Sequence, residues 1–157
     1  MIYLLLKTIH ILAVILFIGN ITTGLFWMHY AVRTKNQTVI SRTIKSIIQA
    51  DKIFTIPGVV VIVASGIGLA LYAHYPMLKL GWLLWPILLF IISGISFGVK
   101  VAPLQNQISK LISIPEIVTD SDWQIFNKLL KSWDVWGLVA LLTPFAAFGM
   151  MVLKIPI

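Results

Sequence analysis

The first twenty residues contain the feature that most limits what this chain can fold into. Leu4 to Asn20 belongs to an apolar run long enough to cross a bilayer, yet the run contains Lys7, His10 and Asn20. Lys7 and His10 are three residues apart, so they are neighbours on one face of a helix. An ionisable side chain in hydrocarbon is costly unless it is paired or binds something, and it therefore indicates a functional site. The segment predicts a membrane helix that carries such a site.

The composition of the whole chain agrees with a membrane protein. The 157 residues are 59% hydrophobic and 11% charged, with a mean hydropathy of +0.99, far more apolar than a typical soluble domain. This length accommodates one domain, residues 1–157, with about four spans. The chain has no cysteine, which excludes disulfides, thiolate metal sites, iron–sulfur clusters and cysteine nucleophiles.

Apolar segments predict four membrane spans, at about residues 2–30, 53–75, 80–101 and 133–153. We therefore expect an all-α integral membrane four-helix bundle. The two longer connectors each contain an amphipathic pattern, interpreted as a helix lying on the membrane surface, and in the second connector Pro115 separates two short helical patterns. The apolar face of the first connector is formed by Ile40, Ile44, Ile47 and Ile48. That of the second is formed by Trp123, Phe126, Leu130 and Trp133.

The distribution of basic residues predicts the orientation. The net charge is +7, from 12 Lys and Arg against 5 Asp and Glu, and no nucleic-acid recognition motif accompanies it. The basic residues in or beside the two longer connectors are Arg33, Lys35, Arg42, Lys45, Lys52, Lys100, Lys110, Lys128 and Lys131. By the positive-inside rule these connectors face the cytoplasm and both termini lie on the outer side, in a bacterial inner membrane.

This orientation places His10, His74 and three lysines toward the outer half of the bundle. Imidazole is the usual axial ligand of haem b, and a membrane four-helix bundle offers an apolar slot for the macrocycle. We therefore interpret His10 as a haem ligand, with Lys7, Lys79 and Lys154 facing the propionates. The structural alternatives are that His10 hydrogen-bonds a neighbouring helix and that the lysines snorkel.

Other polar residues have more than one interpretation. His74 is either a second metal ligand or a residue of the membrane interface, and its place near the end of a span favours the interface. Asn20 with Thr22 and Thr23 is interpreted as interhelical hydrogen bonding. A Gly94-x-x-x-Gly98 motif is typical of helix packing and leaves a homo-oligomer open.

Two further classes of function stay open beside the haem interpretation. Thioethers are soft ligands, so copper(I) could be bound by a set of outer-half residues. That set is His10, His74, Met77, Met150 and Met151. The chain could also be a structural subunit of a larger membrane complex, in which the polar groups only pack.

Hydrolytic chemistry in the membrane has no residues to support it. Nucleophilic triads, phosphate loops and paired catalytic carboxylates are missing from the sequence. The acidic residues are interpreted as members of the connectors or of their edges, which leaves none within a span. They are Asp51, Glu116, Asp120, Asp122 and Asp134.

Several short motifs together resemble a known group of small four-span membrane proteins. They are Lys7-x-x-His10-x-x-Ala13-Val14 with Gly19, Pro57 with Gly66-x-Gly68-Leu69, Gly81-Trp82-Leu83, and Val152-Leu153-Lys154-x-Pro156. The pattern is similar to the superfamily of HemJ-type protoporphyrinogen IX oxidases and CopD-like proteins, and more closely to a domain-of-unknown-function branch of it. The likeness covers nearly the whole chain.

The resemblance implies a haem b ligand at His10 and, from the CopD-like relatives, a link to copper. The oxidases also have an essential lysine shortly after the Gly-Trp-Leu of span three. Here Leu84, Trp85 and Pro86 follow that motif, and none of them is cationic. The residues therefore do not support protoporphyrinogen oxidation. The residues remain compatible with a haem-linked redox step that uses a quinone or another electron partner.

Overall fold

Four long helices account for nearly all of the chain. In the computed structural model, which describes residues 1–77, 79–113 and 120–156, each helix is long and apolar enough to cross a membrane. They are α1 (Ile2–Arg33), α2 (Gln37–Tyr72), α3 (Gly81–Ile112) and α4 (Asp120–Leu153). The described residues contain no strand, and the prediction of an all-α chain with four spans is confirmed.

The helices run antiparallel to their neighbours in sequence, which gives the bundle two ends. We call the end with the α1/α2 and α3/α4 connections the basic end, and the opposite one the terminal end. Asn36 starts α2 at the basic end, because its Oδ1 accepts hydrogen bonds from the backbone N–H of Thr38 (2.9 Å) and Val39 (3.2 Å). The excess of basic side chains at this end predicts that it is cytoplasmic, and that assignment stays a prediction.

Helices α2 and α3 each contain one π-helical segment. The segments are Asp51–Thr55 in α2 and Phe97–Val101 in α3. Each ends two residues before a proline, Pro57 or Pro103. A proline has no N–H and its ring clashes with the carbonyl four residues earlier. The wider π turn accommodates this defect, so both helices continue without a break.

The expectation of helices lying on the membrane surface is wrong for the described residues. Gln37–Ala50 and Ala102–Ile112 continue directly into the spans of α2 and α3, and Asp120 starts a helix that runs unbroken to Leu153. The predicted boundaries at residues 53, 101 and 133 therefore fall inside helices. The predicted break at Pro115 lies outside the described residues.

The two amphipathic faces instead bury each other at the basic end. Ile40 and Ile44 are fully buried there with Ile108 and Phe126. An apolar stripe on a helix predicts that this face is buried away from water. It does not predict whether lipid or another helix covers the face. This basic-end core also contains Met28, Ala31, Ile47, Val101, Ile112, Leu130, Trp133 and Ala140.

Packing in the terminal half is confined largely to two helix pairs, α1 with α2 and α3 with α4. No Cα atom of Ile56–Tyr72 comes within 8 Å of one in Gly81–Ser96. The rings of Phe17 and Phe90, whose centroids are 5.6 Å apart, bridge the two pairs. The terminal half is therefore an open arrangement, with wide apolar faces available to lipid.

Candidate functional site

His10 faces helix α2 in the terminal half. Its Nδ1 lies 3.1 Å from the carbonyl oxygen of Ile62 and 3.0 Å from Oγ of Ser65. A carbonyl only accepts, and the Ser65 hydroxyl already donates to the carbonyl of Val61, so the network assigns the proton to Nδ1. Nε2 has no hydrogen-bond partner among the described residues and is free to act as a ligand.

The imidazole of His10 lies close against Gly66 on α2. A Cβ at that position would come within 3.3 Å of Cε1 of His10, so a larger residue would require the ring to move by a few tenths of an ångström. Proteins usually fix the tautomer and ring plane of a metal-bound histidine through the ring nitrogen that does not bind the metal, whose N–H donates to a backbone carbonyl. The arrangement is also what a packing histidine would show.

The other predicted ligands are not assembled around His10. His74 lies past the end of α2 at Tyr72, and no observed hydrogen bond joins it to His10. Within the part of the chain that is described, no group of three or more His, Cys, Asp or Glu side chains could hold a metal ion.

Of the predicted lysines, Lys154 has a defined contact. Its Nζ lies 5.7 Å from the centroid of the Trp82 ring, and Trp82 packs edge-on against Tyr75 at 5.4 Å. Lys7 and Lys79 are exposed. All three lie in the terminal part of the bundle, but only Lys154 is positioned by an aromatic partner.

A second polar site, centred on Asp51, lies deep in the bundle between α1, α2 and α3. Asp51 is 6% exposed. Its Oδ1 accepts hydrogen bonds from Nδ2 of Asn20 (2.9 Å) and Oγ1 of Thr55 (2.7 Å). Its Oδ2 accepts one from Nε2 of Gln105 (2.8 Å). The carboxyl group thus connects three helices at the level of the two π-helical segments.

A cavity of about 20 Å³ adjoins this carboxyl group. Its polar lining comes from Asn20, Asp51, Gln105 and Trp133. Trp133 is 2% exposed, and its Nε1 has no hydrogen-bond partner among the described residues. Buried polar groups nearly always have a partner, so this N–H requires an explanation.

A groove of about 330 Å³ lies between α1 and the first part of α2. It contains one cation, Arg42, with the hydroxyls of Thr23, Thr43 and Ser46 and the indole of Trp27. The cavity and the groove have three lining residues in common: Asn20, Gly24 and Ile47. The polar groove therefore approaches the Asp51 site from the side that leads to the basic end.

The sequence interpretation of Asp51 is wrong, since this residue lies inside the bundle and not in a connector. One signal could have identified it. The buried face of α2 continues through Ile40, Ile44, Ile47, Asp51 and Thr55 at spacings of three and four. The interhelical hydrogen bond of Asn20 is confirmed. Thr22 and Thr23 instead donate to carbonyls within α1.

A further carboxyl group lies within a predicted span. Oδ2 of Asp134, on α4, is 3.5 Å from Nε2 of His29 on α1. The Oδ1 atom of Asp134 is buried, and within the described part of the chain it has no hydrogen-bond partner. The expectation that no acidic residue lies within a span is therefore wrong for Asp134, which is part of α4 and pairs with His29.

Comparison with known proteins identifies the family of the chain. A family described as predicted integral membrane protein (DUF2269) matches residues 4–155. No curated protein and no solved structure matches the chain. The match confirms the expectation of a domain-of-unknown-function membrane family, and the likeness to HemJ-type and CopD-like proteins stays a prediction.

Proposed function

The chain belongs to the DUF2269 family of integral membrane proteins, and we propose that it binds haem b through His10 and serves a redox or electron-transfer role. The observation that carries the proposal is the hydrogen bond from Nδ1 of His10 to the carbonyl of Ile62, 3.1 Å long. This hydrogen bond leaves Nε2 without a proton and with an available lone pair, which an imidazole needs in order to bind iron.

The surroundings of His10 support a flat apolar ligand. Helices α2 and α3 do not approach each other in the terminal half, so the arrangement there is open on the side between these two helices. Lys7 lies one turn from His10 toward the terminal end, and Lys154 is positioned near Trp82. Cations there would pair with carboxylates on the rim of such a ligand.

When bound, haem b supplies one-electron redox chemistry. The protein's contribution is to orient the imidazole through Ile62 and Ser65, to exclude water with apolar helix faces, and to balance charge with lysines. We do not extend the proposal to protoporphyrinogen oxidation, because Leu84, Trp85 and Pro86 provide no cation after Gly81-Trp82-Leu83. A quinone or another membrane redox partner fits an electron-transfer role.

The positive-inside rule further suggests that the His10 site lies in the outer half of a bacterial inner membrane. The copper alternative draws on the same histidine and on Met150 and Met151. No observed contact brings those methionines to His10, so copper is treated as an outcome of the test.

The test is an absorption spectrum of the purified protein in detergent, with haem supplied during expression, before and after reduction with dithionite. A Soret band that is present in the wild type and lost in His10→Ala would support the proposal. His29→Ala is the matched control, since it removes the other histidine of α1, and its spectrum should equal that of the wild type. A featureless wild-type spectrum would contradict haem binding, and copper analysis of the same samples would then distinguish a copper protein from a structural subunit.

A further inference from the structure

The buried N–H of Trp133 points to a missing hydrogen-bond partner beside Asp51. Trp133 and Asp51 line the same cavity of about 20 Å³. A space of roughly 10–15 Å³ is enough to hold one water molecule, provided that two to four polar groups surround it. The cavity meets both conditions, because the Trp133 N–H can donate and the Asp51 carboxyl group can accept.

The hydrogen bonds at Asp51 leave one position for a further partner. Oδ1 already accepts from Asn20 and Thr55, whereas Oδ2 accepts only from Gln105. A carboxylate oxygen has two lone pairs. Oδ2 therefore retains one acceptor position, and it is the atom on which a proton could be added without displacing a protein donor.

The hydrogen-bond donors around Asp51 favour a proton over a metal cation as its ligand. Asn20, Thr55 and Gln105 all turn donors toward the carboxyl group, and Trp133 adds another N–H donor, which a cation would repel. Among the described residues, Asp51 has no ion-pair partner, and no other charged side chain lines the cavity. A buried carboxyl group without a counter-ion commonly exchanges a proton in membrane proteins.

The charged groups on the packed helices lie outside the cavity. Lys52 on α2 and Lys100 on α3 are exposed, and Lys100 lies over the ring of Trp136. On α4, Asp134 pairs with His29 of α1. None of these side chains is in the cavity lining, so a change of charge at Asp51 has no titrating neighbour in direct contact.

The groove between α1 and α2 provides a route to this carboxyl group. It shares Asn20, Gly24 and Ile47 with the cavity, and the hydroxyls of Thr43 and Ser46 line it toward the basic end. Hydroxyl groups can both donate and accept, so they can support a chain of water molecules.

We propose that Asp51, Trp133 and one bound water form a proton-binding site in the bundle, reached from the basic end through the α1/α2 groove. A proton arrives from water in the groove, an O–H bond forms at Oδ2, and an O–H bond of the donating hydronium breaks to leave neutral water. The carboxylate becomes neutral in the same step. This inference does not rest on haem binding at His10.

The first experiment is infrared difference spectroscopy of the full-length protein in lipid nanodiscs between high and low pH. The carbonyl stretch of a protonated carboxyl group should appear at low pH, shift in D₂O, and be lost in Asp51→Asn. Asp120→Asn, which removes an exposed acid at the start of α4, is the control and should retain the band. Absence of a pH-dependent buried-carboxyl band in a folded wild type, or its persistence in Asp51→Asn, would overturn the proposal.

A second variant tests the bound water. Trp133→Phe retains an aromatic ring but removes the N–H, so the Asp51 band should change in frequency when the water loses its anchor. An unchanged band in a folded Trp133→Phe protein would overturn the participation of Trp133. If that variant does not fold, the O–H stretch of a bound water in the wild-type difference spectrum, identified by its shift in H₂¹⁸O, decides the same point, and its absence would overturn the bound water.

The route is tested by blocking the groove. Ser46→Leu places an apolar side chain there, and deuterium exchange at the Asp51 carboxyl group should become slower. Val60→Leu, on the exposed part of α2, is the matched control and should exchange at the wild-type rate. Equal rates in Ser46→Leu and the wild type would contradict access through this groove.

Discussion

Nδ2 of Asn20 donates a 2.9 Å hydrogen bond to Oδ1 of Asp51, across 31 positions of sequence. The same Nδ2 donates to Oγ1 of Thr55 at 2.9 Å. One amide group in α1 therefore satisfies two acceptors in the π-helical segment of α2. The contact fixes the position of α1 against α2 at the level where the terminal half meets the basic-end core.

Replacement of Asn20 by alanine should destabilise the protein by about 1–3 kcal/mol, because it leaves buried acceptors with one donor fewer. Thermal unfolding in detergent, followed by circular dichroism, measures this change. Thr23→Ala is the matched control on the same helix. Its hydroxyl is exposed and bonds within α1, so its effect should stay within about 0.5 kcal/mol. Equal effects of the two substitutions would contradict the importance of the Asn20 contact.

Asp51→Leu should be more destabilising than Asp51→Asn. Leucine removes the acceptor of one N–H of Asn20, of the Thr55 hydroxyl and of Nε2 of Gln105, each at about 1–3 kcal/mol, whereas asparagine retains one acceptor oxygen of similar shape. The free energies of unfolding of the two variants in the same detergent provide the comparison. A leucine variant as stable as the asparagine variant would mean that the hydrogen bonds to Asp51 contribute little.

Gly66→Val should lower the haem content if the proposed function is correct. A Cβ at Gly66 would already lie 3.3 Å from the His10 ring, and the branches of valine would displace the imidazole. The ratio of the Soret absorbance to the protein absorbance measures haem content. Gly19→Val is the control, since a Cβ at Gly19 meets no atom within 4 Å. An unchanged ratio in a folded Gly66→Val protein would contradict the assigned position of the haem ligand.

Two glycines of the α3/α4 pair should respond to alanine in opposite directions. A Cβ at Gly137 would lie 3.0 Å from Cδ2 of Leu25, and such overpacking typically costs about 1–3 kcal/mol. A Cβ at Gly94 meets nothing within 4 Å, so Gly94→Ala should gain up to about 1 kcal/mol of helix propensity. Unfolding midpoints of both variants provide the measurement. Destabilisation by Gly94→Ala would instead indicate a partner against that face, as a self-associating GxxxG motif requires.

A reporter inserted at residues 114–119, between α3 and α4, should be active only in the cytoplasm. The reason is the excess of Lys and Arg at this end of the bundle. A pair of fusions, one active in the cytoplasm and one active outside, measures the orientation. Activity outside would invert the bundle and place the Asp51 groove on the outer side.

The helical class and the spans could be predicted from sequence, because apolar runs of sufficient length have few alternatives in a bilayer. The amphipathic faces in the connectors were also predicted correctly. The surface that covers these faces was not predicted, since Ile40 and Ile44 would be removed from water equally well by facing lipid. Only the position of α3 and α4 decides that Ile108 and Phe126 cover them.

The polar sites divide in the same way. Periodicity and composition identified His10 and Asn20, since polar groups within an apolar run stand out. Asp51 follows a basic, amphipathic segment, so its local sequence resembles a solvated helix end. Its burial depends on Asn20 and Gln105, which lie 31 and 54 residues away.

The sequence by itself determined the four apolar helices, their antiparallel order and the histidine that lies within the first of them, because each of these follows from local hydropathy and length. The tertiary structure decided which carboxyl group is buried, which groups bond to it and where a cavity remains. The physical reason is that burial and hydrogen bonding are properties of several helices together, and the partners that satisfy Asp51 are contributed by three of them.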